Sequence, residues 1–450
     1  MFSITIAHAQ ETEWLWTHGF GGISFDQGQD MAVDFNGNVF LTGTFEESII
    51  LSTDTLISKG QNDIFLAKFN PKGTLLWCRQ AGGTAKDQSL GLTVNSRGEA
   101  IITGMFEGWM YLDTDTLKSS HDSDIFVASY SPEGKLIWSR REGGRGFDGG
   151  YDITCDANNN VYLMGTYTHI EPGAKAKAKD VYKGNQVFMA KYKPDGSLDW
   201  VKPTRGSGKI FGHAIAVDAE ENVYIACRYS GQVIFSKDTL PGNNGIAMAK
   251  YDKSGQINWL QDFGGDTLTG FGSALTLTKQ GDLLMTGSIA KLKPQLTDTK
   301  QLEKTTQQPG NSHFDVFLTS INTENGQQNW WYTAGGSDMD KGMGVWTQDT
   351  LIMMTGWLSE TALFSGTEVK AYGGNNMYLA TFNTEGKLLD VFNPLQRGLG
   401  YGKAICGDND GNFYWAGWYT GMLNMPTDLL FSKGKADVFI GKFNWNDNIE

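Results

Sequence analysis

The sequence lacks the features that define several common protein classes. Its four cysteines are far apart in 450 residues and form no Cys-x-x-Cys pair, which argues against a zinc or redox motif. No run approaches the roughly 18 consecutive apolar residues of a membrane-spanning helix, so no transmembrane segment is predicted. Basic residues number 37 against 50 acidic ones, and a net charge of −13 excludes a general nucleic-acid binder.

Charged residues are scarce at 19% and prolines number only 10, whereas glycine is abundant at 57 residues. Hydrophobic residues reach 40% and aromatic residues 12%, which is enough for a large core. Abundant glycine and aromatics, without a helical period, indicate many short strands joined by tight turns. The composition therefore predicts an all-β chain and argues against a helical bundle.

A segment of about 61 residues recurs seven times. Its marker is an apolar strand, first seen at residues 38–45, and successive markers are 60 to 62 residues apart except for one spacing of 69. The marker positions are Gly43, Gly104, Gly165, Cys227, Gly287, Gly356 and Gly417. Repetition at such a period is typical of propellers, solenoids and other repeat arrays.

Each copy contains four predicted strands. An Asx-rich turn precedes the marker strand, a variable loop follows it, and a Pro-x-Gly turn joins the third strand to a fourth that carries a tryptophan such as Trp77. Turns of this composition connect antiparallel strands. Four such strands in about 61 residues make one propeller blade, whereas separate sandwiches would need about 100 residues per unit.

The seventh copy lacks its fourth strand, and a matching strand stands at the N-terminus. Trp16 precedes Gly21 by the same five residues that separate Trp77 from Gly82. We therefore predict a seven-bladed β-propeller of four-stranded antiparallel blades, in a single domain over residues 10–450. A strand at about 13–18 completes the last blade at about 403–445, which removes an open sheet edge. We expect a monomer.

Three motifs occur in tandem from about residue 11 to 445: Asp-x-x-Gly-Asn-Val-(Phe/Tyr)-x-x-Gly, Asp-Ile-Phe-x-Ala-Lys-(Phe/Tyr) and Gly-Gly-x-x-x-Asp. In this combination the chain resembles the SBBP β-propeller repeat family of bacterial extracytoplasmic proteins. The resemblance implies the fold and a secreted, cell-surface or periplasmic location. It implies no defined activity and no catalytic residues. Copies four and six depart from the pattern at Cys227, Gly245, Asn376 and Asp390.

Residues 1–9 end in Ala7-His8-Ala9, which has the form of a signal-peptidase site. Nine residues are too few for a complete signal peptide. The alternatives are an ordinary N-terminus and a signal peptide whose start codon was placed too late. We expect the second, so that the mature chain begins at Gln10 and works outside the cytoplasm.

No motif predicts a cofactor, a metal site or a catalytic residue. The turn at residues 408–412 is similar to part of a calcium loop, but Trp418 and Tyr419 occupy the region where such a loop carries a bidentate Glu. Asx side chains that bond their own turn explain the pattern without metal. The recurring Asp26 is likewise interpreted as a turn residue.

One position differs in every copy, at the predicted mouth of the channel. The seven residues, which we call the variable ring, are Gln29, Leu90, Tyr151, His213, Ser273, Met343 and Lys403. A repeat keeps what its fold needs, so variation marks a position that is either free or functional. The candidate ligand-binding residues are Gln29, Tyr151, His213 and Lys403 of the ring, with Trp357 and Trp418 as aromatic anchors nearby.

Two functions fit these features. The first is a non-enzymatic extracytoplasmic scaffold that recognises a protein or a glycan through its loop-rich face. The alternative is a propeller enzyme, a lyase or hydrolase, in which His213 and Tyr151 act as acid and base at the channel mouth.

Overall fold

The structure is a computed structural model. It describes residues 11–168, 185–240, 244–263, 268–291 and 314–446. The predicted signal segment at residues 1–9 lies outside this part. All regular structure in the described residues is β-strand, as the composition predicts. No helix among them is long and apolar enough to cross a membrane.

The strands are numbered β1 to β37 in chain order. Strands β1 to β13 are Glu11–Phe20, Asp26–Val33, Val39–Phe45, Ser48–Leu51, Asp54–Ile57, Asp63–Phe69, Leu75–Gly82, Asp87–Val94, Ala100–Leu112, Asp115–Tyr130, Leu136–Glu142, Gly149–Cys155 and Val161–Tyr167. Strands β14 to β25 are Gln186–Tyr192, Leu198–Gly206, Lys209–Val217, Val223–Ser230, Val233–Phe235, Asp238–Leu240, Asn244–Tyr251, Ile257–Phe263, Leu268–Leu277, Leu283–Lys291, Asp315–Ile321 and Gln328–Gly336. Strands β26 to β37 are Lys341–Gln348, Leu351–Leu358, Thr361–Phe364, Thr367–Lys370, Asn376–Asn383, Leu388–Phe392, Leu395–Arg397, Gly400–Gly407, Asn412–Tyr419, Met422–Met425, Asp428–Phe431 and Asp437–Asn446.

The strands pair into seven antiparallel units of four, numbered 1 to 7 along the chain. The units are β2-β3-β6-β7, β8-β9-β10-β11, β12-β13-β14-β15, β16-β17-β20-β21, β22-β23-β24-β25, β26-β27-β30-β31 and β33-β34-β37-β1. In unit 7 the fourth strand is β1, which pairs with β37 from Glu11 opposite Asn446 to Phe20 opposite Val438. The first strands of neighbouring units contact each other in order, and that of unit 7 contacts that of unit 1. The arrangement is propeller-like.

The recurring tryptophans join neighbouring units. The indole Nε1 of Trp77 in unit 1 donates to the carbonyl of Pro132 in the Pro-x-Gly turn of unit 2, at 2.9 Å. Trp16 in β1 donates in the same way to Pro71 of unit 1, at 3.2 Å. Equivalent bonds run from Trp138 to Pro194, from Trp259 to Thr323 and from Trp330 to Thr384. These five tryptophans therefore link neighbouring units, as their recurrence predicts, and β1 makes this contact with unit 1. The equivalent Trp200 of unit 3 does not form this bond, since its Nε1 has no partner among the described residues.

The segment between the second and third strands of a unit is a hairpin in five of the seven units. In unit 2 it is the outer part of β9 and β10, where Leu112 pairs with Ala81 of unit 1. The hairpin β18-β19 pairs with β15, β28-β29 with β25, and β35-β36 with β32, while β4-β5 reaches Gly21 through Ile50. In units 3 and 5 this segment lies outside the described residues. The prediction of a merely variable loop is wrong for the five units, because each hairpin extends the sheet next to its own unit.

Aspartates in the turns between units bind backbone amides. The Oδ2 atom of Asp26 accepts a hydrogen bond from the amide of Gly22, at 2.6 Å. The same bond joins Asp87 to Gly83, Asp148 to Gly144 and Asp340 to Gly336. The Asx-rich turns behave similarly: Asp34 Oδ1 accepts from the amides of Asn36 and Asn38, each at 2.9 Å. In both patterns the aspartate therefore stabilises a turn by accepting hydrogen bonds from backbone amides close to it in the sequence.

Candidate functional site

Each residue of the variable ring is the extra residue of a β-bulge. The pairing of the first and second strands skips one residue in every unit, for example between Gly28 and Asp30 in unit 1 and between Gly402 and Ala404 in unit 7. The skipped residues are Gln29, Leu90, Tyr151, His213, Ser273, Met343 and Lys403. Bulges of this kind redirect a side chain and are common beside functional sites. The bulge explains why the fold tolerates seven different side chains at this position.

All seven bulge residues line one cavity of about 570 Å³ between the first strands of the units. Pockets of this volume hold small ligands or the end of a chain molecule. Two residues further along each first strand the lining is aliphatic. This second level consists of Met31, Leu92, Ile153, Ile215, Leu275, Val345 and Ile405. Five of the seven side chains at the bulge level are polar, the exceptions being Leu90 and Met343, whereas the second level is entirely apolar.

The predicted residues occupy two places. Gln29, Tyr151, His213 and Lys403 line the cavity. Trp357 and Trp418 do not line it; they stand opposite Lys341 and Tyr401 in the neighbouring first strands. Both tryptophans are half-buried and contact Tyr401, which stands two residues before Lys403. The ring centroid of Tyr401 is 4.1 Å from that of Trp418, in a stacked arrangement. The centroid of Trp357 is 5.5 Å from Tyr401, edge to face.

Asn375 Nδ2 donates to the hydroxyl of Tyr401 at 2.7 Å, so this phenol ring is held from three sides. The two tryptophans thus contact Tyr401, and Tyr401 is the aromatic residue nearest to Lys403 in the sequence. Sequence reasoning did not single out Tyr401, because the tryptophans are more conspicuous in the sequence.

A second lysine, Lys341, joins the site. It stands two residues before Met343 in β26 and lines the same cavity as His213 and Lys403. Its Nζ lies 4.4 Å from the ring centroid of Phe271, and the imidazole of His213 lies 5.8 Å from that ring on a neighbouring unit. Three nitrogen-bearing side chains from units 4, 6 and 7 therefore share one side of the cavity.

The electrostatics of this side follow from burial and like charge. Burial lowers the pKa of His213 to about 3, and the charges of Lys341 and Arg228 act in the same direction. Burial, assisted by the charge of Lys341, lowers the pKa of Lys403 to about 8. Burial also lowers the pKa of Lys341. His213 Nε2 is buried and has no hydrogen-bond partner among the described residues. His213 is therefore neutral at ordinary pH.

Two carboxyls that sequence reasoning missed lie in the opposite part of the lining. Asp30 Oδ2 accepts from the amide of Leu92 in unit 2, and Asp152 Oδ2 accepts from the amide of Ile215 in unit 4, each at 2.7 Å. Both carboxyls therefore link neighbouring first strands. The other units carry glycine or alanine immediately after the bulge, so aspartate at this place was the available signal. Within the described residues no group of His, Cys, Asp and Glu side chains could hold a metal ion.

Stability should fall as the pH rises from about 4 to about 8. Burial raises the pKa of Asp26, Asp148 and Asp152 to about 7 and that of Asp30, Asp87 and Asp340 to about 8. The unfolded chain has lost these protons above about pH 4, so the folded state binds more protons in this window. Each such proton lowers the free energy of unfolding by about 1.4 kcal/mol per pH unit.

His213 acts oppositely below about pH 6.5 and Lys403 acts oppositely above about pH 8, because the folded pKa of each lies below its unfolded value, but these are single groups against six carboxyls. Guanidinium unfolding at pH 5.5 and 8.5 measures the difference, and a midpoint that is equal or higher at pH 8.5 would contradict it. Asp30→Asn should flatten the dependence, because it removes one of the titrating groups.

The sequence comparisons cover only parts of the chain, and the structural comparisons are distant. No family model matches it. A stretch of 154 residues is 25% identical to an uncharacterised WD repeat-containing protein of Acanthamoeba polyphaga mimivirus, and 143 residues are 27% identical to the regulatory protein FlaEY of Caulobacter vibrioides. These stretches are 30% and 31% of this chain but only 11% and 15% of the two relatives. The chain thus covers a small part of the length of either relative.

Several solved structures align with most of the chain, each with a TM-score below 0.5. An ulvan lyase from a new family of polysaccharide lyases matches 89% of this chain and 93% of its own, with a TM-score of 0.47 and 9% identity. An apocarotenoid oxygenase of Synechocystis matches 97% of both chains with a TM-score of 0.41 and 9% identity. A protein of unknown function from Dyadobacter fermentans matches 96% of this chain and 99% of its own, with a TM-score of 0.41 and 9% identity. Such distant likenesses give no information on what the chain binds.

Proposed function

We propose that the seven units are the blades of a closed seven-bladed β-propeller, and that the protein is a non-enzymatic extracytoplasmic scaffold that binds a glycan at the bulge level of its central cavity. The observation that carries this proposal is the variable ring. Seven bulges point seven different side chains into one cavity, while the surrounding strands repeat. The extracytoplasmic location and the relation to SBBP repeats rest on the sequence motifs.

A glycan fits this site better than a flat protein surface. The cavity of about 570 Å³ is concave, and the hairpins that would have formed a loop-rich face extend neighbouring sheets instead. Polar side chains such as Gln29 and Tyr151 supply hydrogen bonds, and Tyr151 and Trp346 supply aromatic rings in the lining. Aromatic rings with polar neighbours suit the mixed apolar and hydroxylated faces of sugars.

The lyase or hydrolase alternative receives less support. His213 and Tyr151 line the same cavity, but the described residues contain no hydrogen bond between them. Each member of an acid–base pair must lie within hydrogen-bond reach of the substrate proton that it transfers, and within the described part of the chain no contact links these two side chains into one catalytic unit. A protonated imidazole is also strongly disfavoured here, because burial lowers the pKa of His213 to about 3. Binding without catalysis is therefore the function that we propose.

A glycan array probed with the purified protein tests this function. We expect retention of at least one glycan class, and loss of that signal in the triple variant Tyr151→Ala, His213→Ala, Lys403→Ala. Because the three side chains line a cavity and do not fill the space between units, the variant should keep its fold and a denaturation midpoint close to the wild type. A triple variant that binds as before would place the site elsewhere. Binding of proteins only, with no glycan retained, would favour a protein partner.

A further inference from the structure

The side of the cavity that carries Lys341 and Lys403 is cationic and lacks a counter-charge. Within the described part of the chain, neither ammonium group has a carboxylate within ion-pair distance. Other buried lysines of this protein do have one: Lys68 pairs with Asp34 at 3.3 Å and Lys191 with Glu221 at 3.0 Å. Lys250 is half-buried like the two cavity lysines and also lacks a carboxylate, but its Nζ donates to the carbonyl of Thr323 at 3.1 Å. Among the described residues the two cavity lysines have no such acceptor.

Unused hydrogen-bonding atoms accompany these lysines. Ser273 Oγ and His213 Nε2 are buried atoms without a partner in the described residues, and both side chains line the same cavity. Buried polar atoms are normally satisfied, so such atoms at one place indicate a missing binding partner. The carboxyls in the lining, Asp30 and Asp152, each bind two backbone amides and are not available to the lysines as a counter-charge.

The charge of the whole protein sharpens this contrast. With a net charge of −13 the general field repels anions, so an uncompensated pair of lysines cannot be ascribed to a basic surface. Like charges that are partly desolvated raise the free energy of the empty site, and an anion placed between them relieves that cost. The ligand that completes this site is therefore negatively charged.

We propose that Lys341 and Lys403 bind the acidic group of an anionic saccharide, a carboxylate or a sulfate, with Ser273 and His213 hydrogen-bonding beside it. This inference rests on the proposed glycan-binding function and names the class of its ligand. Tyr151 and Trp346 line the same cavity, so a sugar ring that follows the acidic group would meet aromatic side chains of the lining.

Three matched sugars test the proposal by calorimetry at constant ionic strength: D-galacturonate, D-galactose 6-sulfate and neutral D-galactose. We expect one or both acids to bind about 10-fold or more tightly than galactose. The two acids separate a carboxylate ligand from a sulfate ligand. The double variant Lys341→Met, Lys403→Met keeps the aliphatic stems and should abolish the preference. The control Lys72→Met, Lys387→Met makes the same change of net charge at two exposed lysines and should retain it.

Equal affinity for all three sugars, sensitive to the ring variant, would overturn the inference and leave the glycan-binding function standing. An empty glycan array would overturn the glycan-binding function itself. A melting measurement without any sugar tests whether the two lysines are instead needed for the fold. In sodium chloride the double variant Lys341→Met, Lys403→Met should unfold at a higher temperature than the wild type, because it removes two like charges. A variant that melts below both the wild type and the control would show that these lysines are structural, and the proposal would fail.

Discussion

Removal of residues 11–20 is expected to produce a protein that aggregates or melts far below the wild type. These residues form β1, the fourth strand of unit 7, and their loss leaves β37 with an unpaired edge. The exposed strand contains the buried residues Val438, Phe439 and Ile440, and unprotected apolar edges pair with other chains. The deletion also removes Trp16 and its bond to Pro71 of unit 1. Size-exclusion chromatography and thermal unfolding measure both effects.

A synthetic peptide with the sequence of residues 11–20 provides the control. Added to the shortened protein, it should restore monomeric elution and raise the melting temperature, because it can occupy the vacant edge. A peptide of the same composition in scrambled order should do neither. An unchanged melting curve and monomeric elution of the shortened protein, without any peptide, would contradict the role given to β1.

Replacement of Trp138 by alanine is expected to lower the free energy of unfolding by about 3–5 kcal/mol, because it opens a cavity between units 2 and 3. The side chain is only 8% exposed, and its indole donates to Pro194 of the next unit at 3.1 Å. Gly196 lies so close to the indole that a Cβ there would approach a ring atom to 2.5 Å. Equilibrium unfolding in guanidinium gives the difference.

Trp109→Ala is the matched control, since this tryptophan lies on the unit 2 hairpin and is 48% exposed. The same chemical change should cost much less there. Trp138→Phe separates the packing from the hydrogen bond and should cost less than the alanine variant, because most of the ring volume remains. Equal losses at Trp138 and Trp109 would show that the contact between units contributes little.

Features that repeat in every copy could be predicted from the sequence. The marker strands, the Asx-rich turns and the tryptophans such as Trp77 recur with a fixed spacing, because each unit solves the same packing problem. The variable ring was found for the opposite reason, as the one position where repetition fails. The bulge itself was not predicted. Because every copy contains the extra residue, the spacing between copies is unchanged by it.

Two features that depend on contacts between units were missed, the hairpins and Lys341. The hairpins contain only three or four paired residues per strand, although the recurring Asp-Thr-Leu at 54–56, 115–117 and 238–240 was a usable signal. Lys341 was missed because it lies outside the ring in sequence. It reaches the cavity that holds His213 and Lys403 only through the ring-like arrangement of the first strands. A group of charged side chains that come from separate units cannot be recognised in the sequence of any one repeat.

The pairing of β1 with β37 also sets the order of events during folding. Glu11 pairs with Asn446, so the first strand of the described chain waits for the last before it gains its partner. Units 1 to 6 take all four strands from neighbouring parts of the chain and can assemble while synthesis continues. Unit 7 cannot, because contacts between such distant segments carry the entropy of closing a very long loop. We therefore expect the docking of β1 to be a late step of folding, which can begin only after β37 has been synthesised.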